Sequence, residues 1–294
     1  TSSSDFQPPL EVIMSFWALV RRLAALEAEV FYPRYTAAIC VPALYFALGK
    51  CGGMTVPVVD GAGPLTVVAE PQEGDDADKP AETPATYENV DAIKVDVKAM
   101  FVTLQADESS IVRSACCANF MQMAEALGLD VTSGTVCDML RVSLKDDCPP
   151  IRVMAVEQLA QYAALLKEAG ATAFLVESLL PIIRESVADD SWRIRMAVAV
   201  KFAAFSDSFS PADVSGEFFP LAMALLQDLE PDVRQAIIPQ FLPFVNAVGA
   251  EVFLKAFMPV AEALCEDPIA QVRKLLASLA VGVAVQVGGA SGGD

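Results

Sequence analysis

Histidine is missing from all 294 residues. That single absence removes Ser-His-Asp and Cys-His nucleophile activation, imidazole metal ligation and histidine general bases together. The chain also lacks a G-x-x-x-x-G-K-[ST] phosphate cradle and a G-x-G-x-x-G turn, so the familiar nucleotide signatures are absent as well. No catalytic residue, cofactor or metal site is expected. Basic residues are scarce: 20 Lys and Arg stand against 38 Asp and Glu, a formal net charge of −18. Such a chain repels phosphate backbones, and nucleic acid is not an expected partner. No run reaches the roughly 18 to 20 uninterrupted apolar residues that a membrane span requires; the longest, residues 36–48, is short and contains Pro42. No membrane span is expected. The chain begins at Thr1 with no basic segment and apolar core ahead of its first helix-like run, which reads as a cut or processed start. Seven cysteines, at 40, 51, 116, 117, 137, 148 and 265, form no C-x-x-C pair and read as small buried residues of a reducing compartment.

What is present is apolar: 54% of the residues are hydrophobic, so much surface must be buried. A repeat organises it. Asp, four variable positions, a β-branched residue and Arg occur as Asp107 with Arg113, Asp146 with Arg152, Asp189 with Arg195, Asp228 with Arg234 and Asp267 with Arg273. Successive arginines are 39, 43, 39 and 39 residues apart, and Pro181, Pro220 and Pro259 each stand 14 residues before an Arg. After each Asp comes a helical face: Ile194, Ala197, Val198, Phe202 and Phe205 fall at offsets 0, 3, 4, 8 and 11, and Val233, Ala236, Ile237, Phe241 and Phe244 repeat them. A second apolar-periodic run precedes each Asp. Each unit is therefore helix A, a tight turn carrying the Asp, and helix B, a hairpin of about 40 residues in the HEAT and armadillo range.

The fold class expected is all-α, a HEAT-repeat α-α superhelix or solenoid of antiparallel helical hairpins. Residues 1–34 read as a partial N-terminal hairpin, 35–90 as an insertion, 91–288 as five repeats and 289–294 as a flexible tail. Within the insertion, residues 39–48 read as a short helix open to contact in a larger assembly, 55–59 and 64–68 as a β-hairpin, and 70–86 as an acidic, Pro-rich loop. Pro239 and Pro243 fall inside helix B of the fourth repeat and predict a kink or a late helix start. Each Asp is placed to accept the free N–H groups of helix B and oppose its dipole, and each Arg to reach the Asp of its own or a neighbouring hairpin. The ten residues form a structural ladder rather than a catalytic array. Cys116 and Cys117 read as core and flank of a helix B, and Met100, Met121, Met123 and Met139 as core.

The segment Ala188-Asp189-Asp190-Ser191-Trp192-Arg193-Ile194-Arg195, preceded by Leu179-Leu180-Pro181, resembles the acidic-Ser-Trp-Arg-Val-Arg turn of the scaffold (A) subunit family of protein phosphatase 2A. Val97-Lys98-Ala99-Met100-Phe101, Ile111-Val112-Arg113 and Ile151-Arg152-Val153-Met154-Ala155-Val156-Glu157 are similar to that family's fifth and sixth repeats, and Trp17, Arg21 and Tyr32-Pro33-Arg34 to its fourth. The resemblance covers residues 14–34 and 91–287 and implies repeats four to nine of a fifteen-repeat solenoid. It departs at Arg113, which Ser114 follows where the family has a second Arg. It implies a non-catalytic scaffold whose ridge of intra-repeat turns binds a regulatory subunit, through Glu108, Ser110, Arg113, Asp147, Pro149, Asp190, Trp192, Arg193 and Glu230. The catalytic subunit would be held only through C-terminal repeats beyond this stretch. A cytoplasmic location follows, with the nucleus also open. The alternative is a general HEAT adaptor, a transport receptor or a structural subunit of a large complex. A HEAT-fold enzyme such as a metal-dependent hydroxylase is disfavoured by the missing histidine.

Overall fold

In the computed structural model, residues 9–25, 31–51, 65–67, 85–87, 89–128 and 134–290 are described, the side chains of 65–67, 85–87 and 288–290 excepted. The chain divides into two compact units, residues 1–130 and 131–294, and each is a run of antiparallel helix pairs.

In the first unit α1 (Leu10–Ala25) packs against α2 (Tyr32–Lys50). Helix α2 begins with proline in its first turn, where no internal N–H is lost. It runs on through residues placed above in the insertion, because Ala37, Ala38, Val41, Leu44 and Leu48 form one buried stripe. The helical pair therefore reaches Lys50 rather than stopping at residue 34. Of the stretch expected to await a larger assembly, Val41, Leu44 and Leu48 are core, while Ile39 and Phe46 are exposed.

Two three-residue strands follow. Within the β-hairpin expected between residues 55–59 and 64–68, β1 (Leu65–Val67) pairs antiparallel with β2 (Ala85–Tyr87), Leu65 opposite Tyr87. The β-prone Thr86 and Tyr87 end what read as loop; residues 55–59 and 70–84 lie outside the described residues. The unit continues with α3 (Val90–Gln105), capped by Asn89 Oδ1 accepting from Ala92 N at 2.9 Å, then α4 (Ser110–Ala118) and α5 (Phe120–Leu127). These two are one helix B broken at Asn119, whose side chain and backbone N–H both donate to the Ala115 carbonyl, at 2.8 and 3.1 Å.

The second unit holds four hairpins: α6 (Thr135–Leu144) with α7 (Pro149–Glu168); α8 (Thr172–Phe174) and α9 (Leu180–Val187) with α10 (Trp192–Ser206); α11 (Pro211–Asp213) and α12 (Phe219–Leu226) with α13 (Pro231–Ile237) and α14 (Leu242–Val248); and α15 (Ala250–Cys265) with α16 (Ala270–Ala290). Between α8 and α9, and between α11 and α12, lies one π-helical turn, Leu175–Leu179 and Val214–Phe218. Pro181 and Pro220 follow two residues after each turn. A proline withholds the N–H that the carbonyl four residues earlier needs, and a wider turn accommodates the loss. Pro259 sits inside α15, which stays α-helical. The expected break at Pro239 and Pro243 is found: α13 stops at Ile237, Ile238–Gln240 is 3₁₀, and α14 starts at Leu242.

Each repeat buries its β-branched residue, Val112, Ile151, Ile194, Val233 and Val272, beside the turn. Around the broken helix B of the fourth repeat the core becomes aromatic, with Phe241 6.0 Å from Phe244 and 5.7 Å from Phe257, ring centre to ring centre. Of the methionines expected in the core, Met123 and Met139 are buried, while Met100 and Met121 are half-buried. Helix α16 buries Val272, Leu276, Leu279 and Val283 on one side and exposes Val281 and Val285 on the other. Residues 270–287 are, by length and composition alone, long and apolar enough to cross a membrane. No such run was visible as an uninterrupted apolar stretch, because Arg273 and Lys274 lie within it.

Candidate protein-binding ridge

The five Asp-bearing turns are built alike. Each Asp Oδ1 accepts the N–H of the residue two positions on: Ser109, Cys148, Ser191, Glu230 and Ile269, all at 2.8 to 2.9 Å. In four of the five that residue is the N-cap of helix B. The carboxylate therefore closes an Asx turn ahead of the helix and does not cap the N–H groups inside it, as the sequence had suggested. Each Arg, one turn into helix B, donates Nη1 to the backbone carbonyl of its own Asp rather than to that Asp's carboxylate.

The other edge of the guanidinium reaches forward. Arg195 Nε and Nη2 meet Asp228 at 2.6 and 2.9 Å, and Arg234 Nε meets Asp267 at 2.8 Å. Each pair is 33 residues apart. Burial pushes the Asp228 carboxyl up, but its bonds from Arg195 and the Glu230 amide, with the fields of Arg195 and Arg234, outweigh that and hold it below its ordinary value. The Arg195 guanidinium is correspondingly raised, chiefly by its bond to Asp228.

One rung is open. Arg152 Nε lies 4.0 Å from Asp189 Oδ2 and is buried without a hydrogen-bond partner. Thirty-seven residues separate this pair, and α7, with 20 residues against 15 in α10, carries the extra turn. A small cavity of about 90 Å³ lies alongside, lined by Arg141, Lys145, Glu185 and Asp189 among others.

One rung is invisible in the sequence. Arg34 Nε donates to Asp107 Oδ2 at 2.6 Å and Nη2 to Oδ1 at 3.2 Å. The separation of 73 is forty more than the usual 33, so the insertion interrupts the chain but not the ladder. The Asp-to-Arg repeat does not announce this arginine: Ala28 stands six residues before it, where the other arginines have Asp, and Pro33 occupies the β-branched position.

With the ladder turned inward, other side chains face solvent. Glu108 and Ser110 in the first unit, and Asp147, Pro149, Asp190 and Arg193 in the second, are exposed; Trp192 and Glu230 are half-buried. Arg193 lies over the Trp192 ring, 4.6 Å from its centre. Arg113, expected on the partner surface, is half-buried and drawn into its own turn, where Nη1 donates to the carbonyls of Asp107 and Glu108 at 2.8 and 3.1 Å. Leu229, absent from the expected contacts, is 93% exposed at the tip of the fourth turn. Among the described residues no cluster of acidic or thiol side chains is arranged to hold a metal. Burial pushes the Cys137 thiol up to about 11 and Cys116 higher still, the reverse of what a reactive thiol needs. Cys265, by contrast, is exposed rather than core.

No family model matches the chain. Among curated proteins, the beta isoform of the human 65 kDa regulatory (A) chain of serine/threonine-protein phosphatase 2A is 26% identical over 129 residues, 44% of this chain and 21% of that protein. The match thus spans about a fifth of the length of that relative. Among solved structures, an engineered protein has a TM-score of 0.47 at 14% identity, covering 90% of this chain and 96% of its own. A designed armadillo repeat protein has a TM-score of 0.42 at 15% identity, covering 91% and 99%.

Proposed function

We propose that this chain is a non-catalytic scaffold whose turn ridge docks a regulatory subunit of a serine/threonine phosphatase of the 2A type. The observation that carries the reading is the Trp192–Arg193 pair. A large aromatic and an arginine, residue types that dominate binding energy at protein interfaces, stand together on a rigid turn. The neighbouring positions, Asp189 and Arg195, are spent on architecture. The partial likeness to a phosphatase 2A regulatory chain supplies the partner class. A ladder that fixes successive turns gives a partner a preorganised line of contacts, and a chain that holds two partners makes their encounter intramolecular.

Affinity capture with the intact chain and with a Trp192→Ala, Arg193→Ala double variant tests this, with the bound material probed for phosphatase regulatory subunits. Retention by the intact chain and loss from the variant, at unchanged helicity, is the expected result. If neither form retains a phosphatase component, a general helical-repeat adaptor becomes the better reading.

A further inference from the structure

Leu229 stands where the other four turns carry Glu108, Asp147, Asp190 and Pro268. Its carbonyl accepts from Arg234 Nη1 at 3.0 Å, a bond that any residue provides through its backbone, so the exposed isobutyl group has no architectural task. Its ridge neighbours are apolar too. Arg195 ties the Trp192 turn to Asp228, one residue before Leu229. Arg234 ties that turn to Asp267, two residues before Ile269, which is also exposed. Trp192, Leu229 and Ile269 thus occupy three successive steps of one ladder. Around them Asp190, Asp232 and Glu266 are exposed. Across residues 189–193, 228–232 and 266–271 the one basic side chain is Arg193, stacked on Trp192.

Resting on the reading of the ridge as the partner surface, we propose that this stretch docks a basic amphipathic helix of the partner. Its apolar side chains, seven residues apart, would seat on Trp192, Leu229 and Ile269, with Lys or Arg facing Asp190, Asp232 and Glu266. The spacing selects a helix. Packed helices lie about 8 to 10 Å apart, so successive turns offer an anchor at about that interval. A helix returns a side chain to one face every seven residues, about 10.5 Å. A strand alternates faces, and its same-face side chains recur at about 7 and 13 Å, out of step with the ridge. The charge selects the flanks: the acidic rim attracts a cationic segment and repels an anionic one.

Trp192 supplies the readout. The chain has two tryptophans, and Trp17 is only 1% exposed, so a ligand-dependent emission change reports the ridge. The full chain is titrated with a synthetic helical peptide of about three heptads, leucine at every seventh position and lysine on the flanks. A version with glutamate for lysine and a lysine-containing proline-rich peptide serve as controls. The basic helix is expected to bind, with affinity falling at least tenfold in Leu229→Asp and roughly tenfold as salt rises from about 0.05 to about 0.5 M. No emission change, equal binding of the acidic or proline-rich peptide, or indifference to Leu229→Asp overturns the proposal. Capture of a phosphatase regulatory subunit that is lost in the Trp192, Arg193 variant but indifferent to Leu229→Asp and to salt would leave the ridge reading standing and remove the helix. Failure of both capture and peptide binding would remove both.

Discussion

Replacing Asp228 by Asn and, separately, Asp189 by Asn gives two chemically identical changes that should differ in consequence. Asp228 accepts three bonds, two from Arg195 and one from the Glu230 amide, in a side chain 8% exposed. Asn keeps one oxygen for the amide but loses the charge and one Arg bond. Breaking a fully buried pair costs about 3 to 5 kcal/mol; the Arg195 side chain is 17% exposed, and Asn retains part of the contact, so about 1 to 2 kcal/mol is expected. At Asp189 the Asx-turn bond to Ser191 is equally kept, and the Arg152 rung is already open at 4.0 Å, so the loss should stay below about 1 kcal/mol. Stacked repeats need not unfold in one step, so a local probe is preferable to a global melt. Amide hydrogen exchange in Asp228→Asn should accelerate about 5- to 30-fold across α13, with a far smaller change across α10 in Asp189→Asn. Equal effects would show that the forward Arg bond contributes nothing and that the Asx turn alone holds the stack. The pH dependence has a definite sign. Asp228 is held below its ordinary value, so its contribution is complete above about pH 4, the unfolded value, and is lost as pH falls through the lower folded one. Exchange across α13 should therefore gain acid sensitivity only below about pH 4.

Other consequences are simpler to test. Phe241→Ala opens a hole among Phe244, Phe253 and Phe257 and should destabilise the second unit by about 3 to 5 kcal/mol, read from urea unfolding followed by circular dichroism. Trp192→Ala removes a half-buried ring and its contact with Arg193; the stability change should be near 1 kcal/mol, small beside the loss of partner capture. Alkylation at pH 8 followed by mass spectrometry should modify Cys265 first, half-buried Cys40 and Cys148 more slowly, and Cys51, Cys116, Cys117 and Cys137 only on unfolding. Early modification of Cys116 would contradict the packing of α4.

Much of the hairpin register was readable in advance because the turn chemistry is short-range and stereotyped. An Asp that closes its own turn and an Arg that must reach its carbonyl can tolerate no change in spacing, so all five pairs keep a separation of six. Features set by longer-range packing were not readable. Helix α2 continues past residue 34 because it finds partners in α1, α3, α4 and α5, and no local signal marks that. The Arg34 rung hides for the same reason: its carboxylate partner is 73 residues away, and Ala28 stands six positions before it in the sequence where the other arginines have an Asp. The two π-helical turns follow from prolines whose sequence neighbourhood does not distinguish them from Pro259. The break at Asn119 coincides with a side-chain amide that shares the Ala115 carbonyl with its own backbone N–H, where the sequence offered no proline as a warning. The pairing of residues 65–67 with 85–87 was missed because the nearer Gly-rich turn suggested a closer partner.

The ridge shows why architecture and recognition differ in legibility. Positions that build the turn recur identically, so five copies average away chance and the ladder stands out. Positions that meet a partner must differ between turns, or the partner would slide by one repeat without loss. Asp147, Asp190, Leu229 and Pro268 occupy the same place in four consecutive turns, and that variety gives a docked chain one register. The residue that departs furthest from its counterparts then carries the most register information, and here it is Leu229. A search for repetition passes over it for that reason. Transplanting the leucine by one repeat, as Asp190→Leu with Leu229→Asp, should shift or abolish partner capture while leaving every ladder bond in place, because neither side chain takes part in one. Unchanged capture by that double variant would mean that register is set elsewhere.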